Sequence, residues 1–259
     1  MPVNTLENFT REQFNRALGI METSLTYNAV PSGEREAYLL GGQSGAGKST
    51  LHKILRTRFD NNAIVINGDE YRKSHPHFLE LDAAYGKDAV AHTAAWAGAM
   101  TEALIDTLSL KGYNLIIEGT LRTSSVPLKT AELLKGRGYA VSLALMAVKP
   151  QISLVSCQLR YEQMRIAGTT SRATDPSHHN AIVGDIAQNL FVLEQSGVFE
   201  AILLYDRSRR CLYPEKGKDA SAAEVLHDAL FGEWTPEEMG HYAMLKRRLE
   251  ELKSQRLDE

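Results

Sequence analysis

The chain has 259 residues, 43% of them hydrophobic and 24% charged, with a formal net charge of −3. That balance belongs to a folded globular chain and gives no reason to expect a binder of nucleic acid or membrane surfaces. No apolar run approaches the roughly 20 residues of a membrane-crossing helix, and MPVNTLENFTREQF has neither the basic nor the apolar part of a secretion signal, so a cytoplasmic chain is expected.

In chain order, the first predicted element is a helix over about 11–28. Thr10 is its N-cap and Gln13 follows three residues later, a capping box, and Phe14, Leu18 and Met21 share one face. Five continuous apolar runs then read as strands covered on both sides: 37–42, 63–68, 113–119, 139–148 and 201–206. Helical stretches separate them at 48–58, about 87–111, 125–137, 150–167 and 177–196. Strands alternating with helices predict an α/β fold, a parallel sheet of about five strands with helices on both faces. A last helix, about 235–256, has Thr235 as N-cap, Pro236 at its first position and Glu237 and Glu238 in its first turn. Its stripe of Tyr242, Leu245, Leu249 and Leu252 suits either docking on the body or a partner seam. The expected organisation is an N-terminal helical segment (1–36) on a core (37–215), followed by a helical extension (216–259).

Ligands of such sheets bind beyond the C-terminal strand ends, so the residues after each strand matter most. After the first strand, Gly42, Gln43, Ser44, Gly45, Ala46, Gly47, Lys48 and Ser49 fit G-x-x-x-x-G-K-[ST], with Thr50 next, between a strand and a helix. Glycines let backbone N–H groups turn inward as a nest for phosphate oxygens, and the helix N-terminus adds its positive end. Lys48 would reach the β and γ phosphates of ATP or GTP, and Ser49 would ligate Mg²⁺. After the second strand, Asp69 could hold Mg²⁺, accept a proton from a bound hydroxyl, or cap a helix. His75 and His77 nearby read as exposed imidazoles rather than a metal pair. After the third strand, Glu118, Thr120 and Arg122 alternate; in an extended segment they would share one side of the cleft. Arg160 lies on the helix before, and Arg172 within, a loop at 168–176 whose composition suits a lid closing over phosphates. Arg207, Arg209 and Arg210 read as solvated surface. Cys157 and Cys211 match no metal spacing and fit a reducing compartment.

LLGGQSGAGKST, NGDEYRKSHPHF, MTEALI, GYNLIIEGTLRT, RYE and SRATDP occur here in the order and approximate spacing of one family. The chain resembles the zeta toxins of bacterial toxin–antitoxin systems, from FTREQF to about residue 215. The resemblance implies a P-loop kinase that phosphorylates the sugar 3′-hydroxyl of UDP-N-acetylglucosamine, blocking peptidoglycan synthesis. It assigns Asp69 as catalytic base and Glu102, Thr120, Arg122 and Thr130 as substrate contacts. Glu118 becomes the acid at the end of the Walker-B-like strand, and Arg160 and Arg172 the clamp on the γ-phosphate. Ser44 and Leu121 stand where some relatives have proline and glycine. A separate antitoxin chain that blocks the nucleotide site is the implied partner, and the C-terminal helix is not explained. Another UDP-sugar or small-molecule acceptor stays open, as does a nucleotide-dependent switch with no acceptor.

Overall fold

The computed structural model describes residues 6–167, 174–214 and 220–255. Six strands form one sheet: β1 (Glu36–Gly41), β2 (Ile64–Ile66), β3 (Leu115–Glu118), β4 (Ala140–Met146), β5 (Ile202–Tyr205) and β6 (Cys211–Tyr213). Their order is β2-β3-β1-β4-β5-β6. All neighbours are parallel except β5 and β6, which form an antiparallel edge pair. The chain leaves β1, skips a place to β2 and returns through β3 before crossing to β4. The strand order therefore reverses at β1, the place where an open α/β sheet presents its ligand crevice.

Burial follows the strand period of two. Ala37 and Leu39, Leu115 and Ile117, and Leu143 and Leu145 join one apolar cluster. Tyr38 and Leu40, Ile116, and Ala144 and Met146 join the other. Both faces are thus covered, as the continuous apolar runs predict. The first cluster is closed by α1 (Arg11–Thr26), α6 (Ala94–Leu110), α7 (Ser125–Gly136), α9 (Pro176–Gln195) and α10 (Ala222–Phe231). The second is closed by α2 (Lys48–Arg58), α8 (Pro150–Ile166) and α11 (Pro236–Ser254). Three short helices, α3 (Gly68–Tyr71), α4 (Phe78–Tyr85) and α5 (Ala89–His92), fill the excursion between β2 and α6.

The capping boxes at Thr10–Gln13 and Thr235–Glu238 form as read from the sequence. The α11 stripe docks on the body, with Leu245, Leu249 and Leu252 buried against α8 and Tyr242 beside Trp234 at 5.4 Å. Other elements differ from expectation. The three-residue strand β6 and the helix α10 were not anticipated, although Ser221 and Glu224 make a third capping box. The expected helix over 87–111 is broken at Thr93, so α6 starts at Ala94. His75 is buried, not exposed, with its ring edge-on to Trp96 at 5.2 Å. No group of metal-ligating side chains forms among the described residues, and no described helix is long and apolar enough to cross a membrane.

Candidate active site

The loop after β1 turns through left-handed backbone at Gly42, Gly45 and Gly47. Gly47 is the N-cap of α2, at φ +99°. Gly45 has a second constraint: a Cβ there would stand 2.1 Å from Ser153 O on α8. The loop is wedged against that helix, and glycine alone fits. Ala46 N donates to Gln43 O at 3.1 Å and Thr50 N to Gly47 O at 2.8 Å, closing the turn and starting α2. Gln43 is fully buried and ties the loop to α8, its Nε2 donating to Val148 O (2.8 Å) and Ser153 Oγ (3.2 Å). Ser44 is half-buried and Ser49 exposed on the first turn of α2.

Lys48 crosses its own loop, its Nζ donating to Gly42 O at 2.9 Å and lying 3.8 Å from Glu118 Oε1. Burial pushes the ammonium below its ordinary pKa; Glu118 and Asp69 oppose this, and Arg160 adds to it. Four predicted residues from four elements therefore share one electrostatic site: Lys48 on α2, Glu118 ending β3, Asp69 on α3 and Arg160 on α8. Burial pushes the Glu118 carboxyl up, but His52 and Lys48 outweigh it and hold its pKa below the ordinary value. His52 Nε2 lies 2.9 Å from Glu118 Oε2.

Asp69 does not cap its helix. Asn67 does, accepting from Asp69 N at 3.1 Å. The Asp69 carboxylate is 59% exposed, and Oδ1 accepts from Arg72 Nε at 2.9 Å. Arg72 is held in turn by Val90 O (2.6 Å) and Thr93 Oγ1 (3.1 Å), which fixes the guanidinium and with it the acid. A Cβ on Gly68 would meet Thr101 Oγ1 at 2.8 Å, so α3 lies directly on α6. Glu102, the next residue of α6, is exposed.

The alternation expected at 118–122 does not hold. β3 ends at Glu118, Gly119 N donates to Leu40 O at 3.0 Å, and Leu121 turns to φ +59° with its side chain buried. Leu121 Cβ packs toward Gly41 at the end of β1. Thr120 is half-buried and Arg122 exposed, but the turn between them removes the extended spacing that would align them with Glu118. Thr130 lies on α7 with its hydroxyl donated to Val126 O at 3.0 Å, outside the Lys48 charge group. Arg172 lies outside the described residues, as does most of the expected lid.

The zeta toxin family pattern matches residues 22–218, about three-quarters of the chain. The chain belongs to the zeta toxin family. It is 46% identical over 248 residues to Toxin PezT of Streptococcus pneumoniae serotype 4 (strain ATCC BAA-334 / TIGR4), covering 95% of this chain and 98% of that one. It is 39% identical over 207 residues to Toxin zeta of Streptococcus pyogenes, covering 80% and 72%. A solved chain from the PezAT chromosomal toxin–antitoxin system of Streptococcus pneumoniae superposes with a TM-score of 0.88 at 44% identity, covering 96% of this chain and 99% of that one.

In this zeta toxin family chain, three site residues escaped sequence reasoning. His52 falls four residues after Lys48, so both face the same way from α2, and that spacing was the available signal. Arg72 follows Asp69 by three residues on the same short helical segment. Arg207 lies two residues past β5, at a C-terminal strand end, and that position was the available signal. It is not a solvated residue: Nη2 donates to Gly45 O at 2.7 Å and Nη1 to Ser156 Oγ at 2.9 Å. Arg210 instead pairs with Asp206 at 3.0 Å and shapes the β5–β6 turn.

Proposed function

We propose that this chain is a toxin kinase that transfers the γ-phosphate of ATP or GTP to the sugar 3′-hydroxyl of UDP-N-acetylglucosamine. The observation that carries this reading is the pairing of Lys48, from a glycine loop at a strand-order reversal, with Glu118 at 3.8 Å, with Asp69 and Arg160 near enough to act on the same ammonium. A phosphate nest alone suits any nucleotide-binding protein. A carboxylate held on a separate helix across from it suits transfer to a hydroxyl.

In this reading the loop amides and Lys48 bind the β and γ phosphates. Asp69, oriented by Arg72, receives the acceptor's proton as its oxygen forms the new bond to γ-phosphorus. The bond from γ-phosphorus to the β–γ bridging oxygen breaks, and the nucleoside diphosphate leaves with that oxygen. Arg160, with Arg172 from the segment before α9, offsets charge on the phosphoryl group in flight. Ser49 would hold Mg²⁺ through its hydroxyl, an oxygen donor exposed on the first turn of α2. Bound there, the ion supplies charge neutralisation on the phosphates. Glu102, Thr120, Arg122 and Thr130 remain the proposed acceptor contacts. The toxin–antitoxin origin of the 44% identical solved chain supports a separate antitoxin partner, which in this reading covers the nucleotide site.

A screen of UDP-sugars with ATP and GTP tests the assignment, with product read by mass. Phosphorylated UDP-N-acetylglucosamine as the preferred product supports it. Preference for a different UDP-sugar keeps the chemistry and replaces the acceptor, and turnover of none refutes the UDP-sugar assignment.

A further inference from the structure

The C-terminal helix α11 is joined to the phosphate loop by a side-chain bridge. Arg207 is at its centre. Its guanidinium donates to Gly45 O at 2.7 Å and Ala46 O at 3.4 Å on the loop, and to Ser156 Oγ on α8. Its fourth contact is His241 Nε2 on α11, at 3.1 Å. A guanidinium has no acceptor, so the imidazole nitrogen must accept this bond and must be unprotonated there. Burial, and then the Arg207 charge, hold the His241 pKa below its ordinary value, which keeps that nitrogen available at neutral pH.

The bridge acts on the peptide groups that make the nest. In a planar trans peptide the carbonyl and the following N–H point in opposite directions. Holding Ala46 O toward Arg207 therefore aims Gly47 N–H away from it. The bridge also has a rigid foundation. α11 is fixed on α8 by Leu245, Leu249 and Leu252, and α8 sits under Gly45. His241, one turn before Leu245, faces a cavity of about 440 Å³ shared with Arg207, Asp206 and Glu237.

We propose that Arg207 and His241 are positioning residues for the phosphate loop, and that α11 serves to hold this pair so that the loop is shaped for the triphosphate before it arrives. The inference rests on the reading of residues 42–49 as a nucleotide site. It gives the C-terminal helix a task in donor binding rather than in acceptor choice.

The test is MgATP affinity of the full chain by calorimetry, with a thermal melt on each variant. His241→Leu removes the acceptor and keeps the packing. It should weaken MgATP binding about tenfold, the scale of one hydrogen bond to a charged group, while the melt stays near wild type. His241→Gln, which offers an amide oxygen in the same region, should recover most of that loss. In an Arg207→Met background, His241→Leu should have no further effect, because the two act as one unit. Wild-type affinity in His241→Leu, or a His241 effect that adds fully to that of Arg207→Met, overturns the proposal. A wild-type chain that binds no nucleotide overturns the site reading and this inference together; the first two outcomes leave the site reading intact.

Discussion

Replacing Gly45 by alanine tests how the phosphate loop is built. The new Cβ would stand 2.1 Å from Ser153 O and 2.7 Å from Cys157 Sγ, at a φ of +76°. Carbon and oxygen ordinarily approach no closer than about 3.3 Å, so loop or helix must move by about 1 Å. Gly138 supplies the control: its φ is +80°, and a Cβ there meets nothing within 4 Å. Both substitutions carry the left-handed penalty of about 1–2 kcal/mol. Only Gly45→Ala adds overpacking, about 1–3 kcal/mol. At about 2–4 °C per kcal/mol for a chain of this size, Gly45→Ala should melt roughly 2–12 °C below Gly138→Ala. It should also lose MgATP binding, which Gly138→Ala should keep. Scanning calorimetry and nucleotide titration on the two variants read both effects. Equal melting with retained MgATP binding would refute the claim that close packing on α8 sets the loop's shape.

Leu249 is 3% exposed between α11 and α8, so Leu249→Ala should destabilise by about 2–5 kcal/mol in urea titration. Glu118 has a folded pKa below its ordinary 4.5, so the stability it contributes is present above that value and lost as pH falls through the lower one. Glu118→Gln should flatten that acid limb in urea midpoints taken across pH. Burial holds His75 and His179 below their ordinary 6.5, so the unfolded chain takes up protons first. Stability should hold above pH 6.5 and decline below it, and His75→Phe, which keeps an aromatic ring edge-on to Trp96, should reduce the slope.

Where backbone pattern alone decides the structure, the sequence was enough. The five buried strands, the loop from Gly42 to Ser49 and the caps at Thr10 and Thr235 all rest on local chemistry that one sequence displays. β6 is three residues long and pairs only at the sheet's edge, too short for a period to show. The site was legible where a strand end placed a residue, as for Glu118 and Asp69. It was not legible where a turn intervened: the left-handed φ of Leu121 breaks the spacing of Thr120 and Arg122, and nothing in TLRT announces it. Arg207 was legible only as a residue past a strand end, and its pairing with His241 was not legible at all. The two are 34 residues apart and meet only because α11 folds back onto α8, a tertiary contact with no local signature.

Phosphorus NMR of UDP-N-acetylglucosamine and MgATP, with wild type and Asp69→Asn side by side, tests the central claim most directly. The wild type should convert the γ-phosphate signal into a new sugar phosphomonoester at the rate ADP appears. Asp69→Asn should slow that conversion by about 10²–10⁴-fold while still binding MgATP. A wild-type chain that releases only inorganic phosphate, or an Asp69→Asn chain with full turnover, would contradict the account.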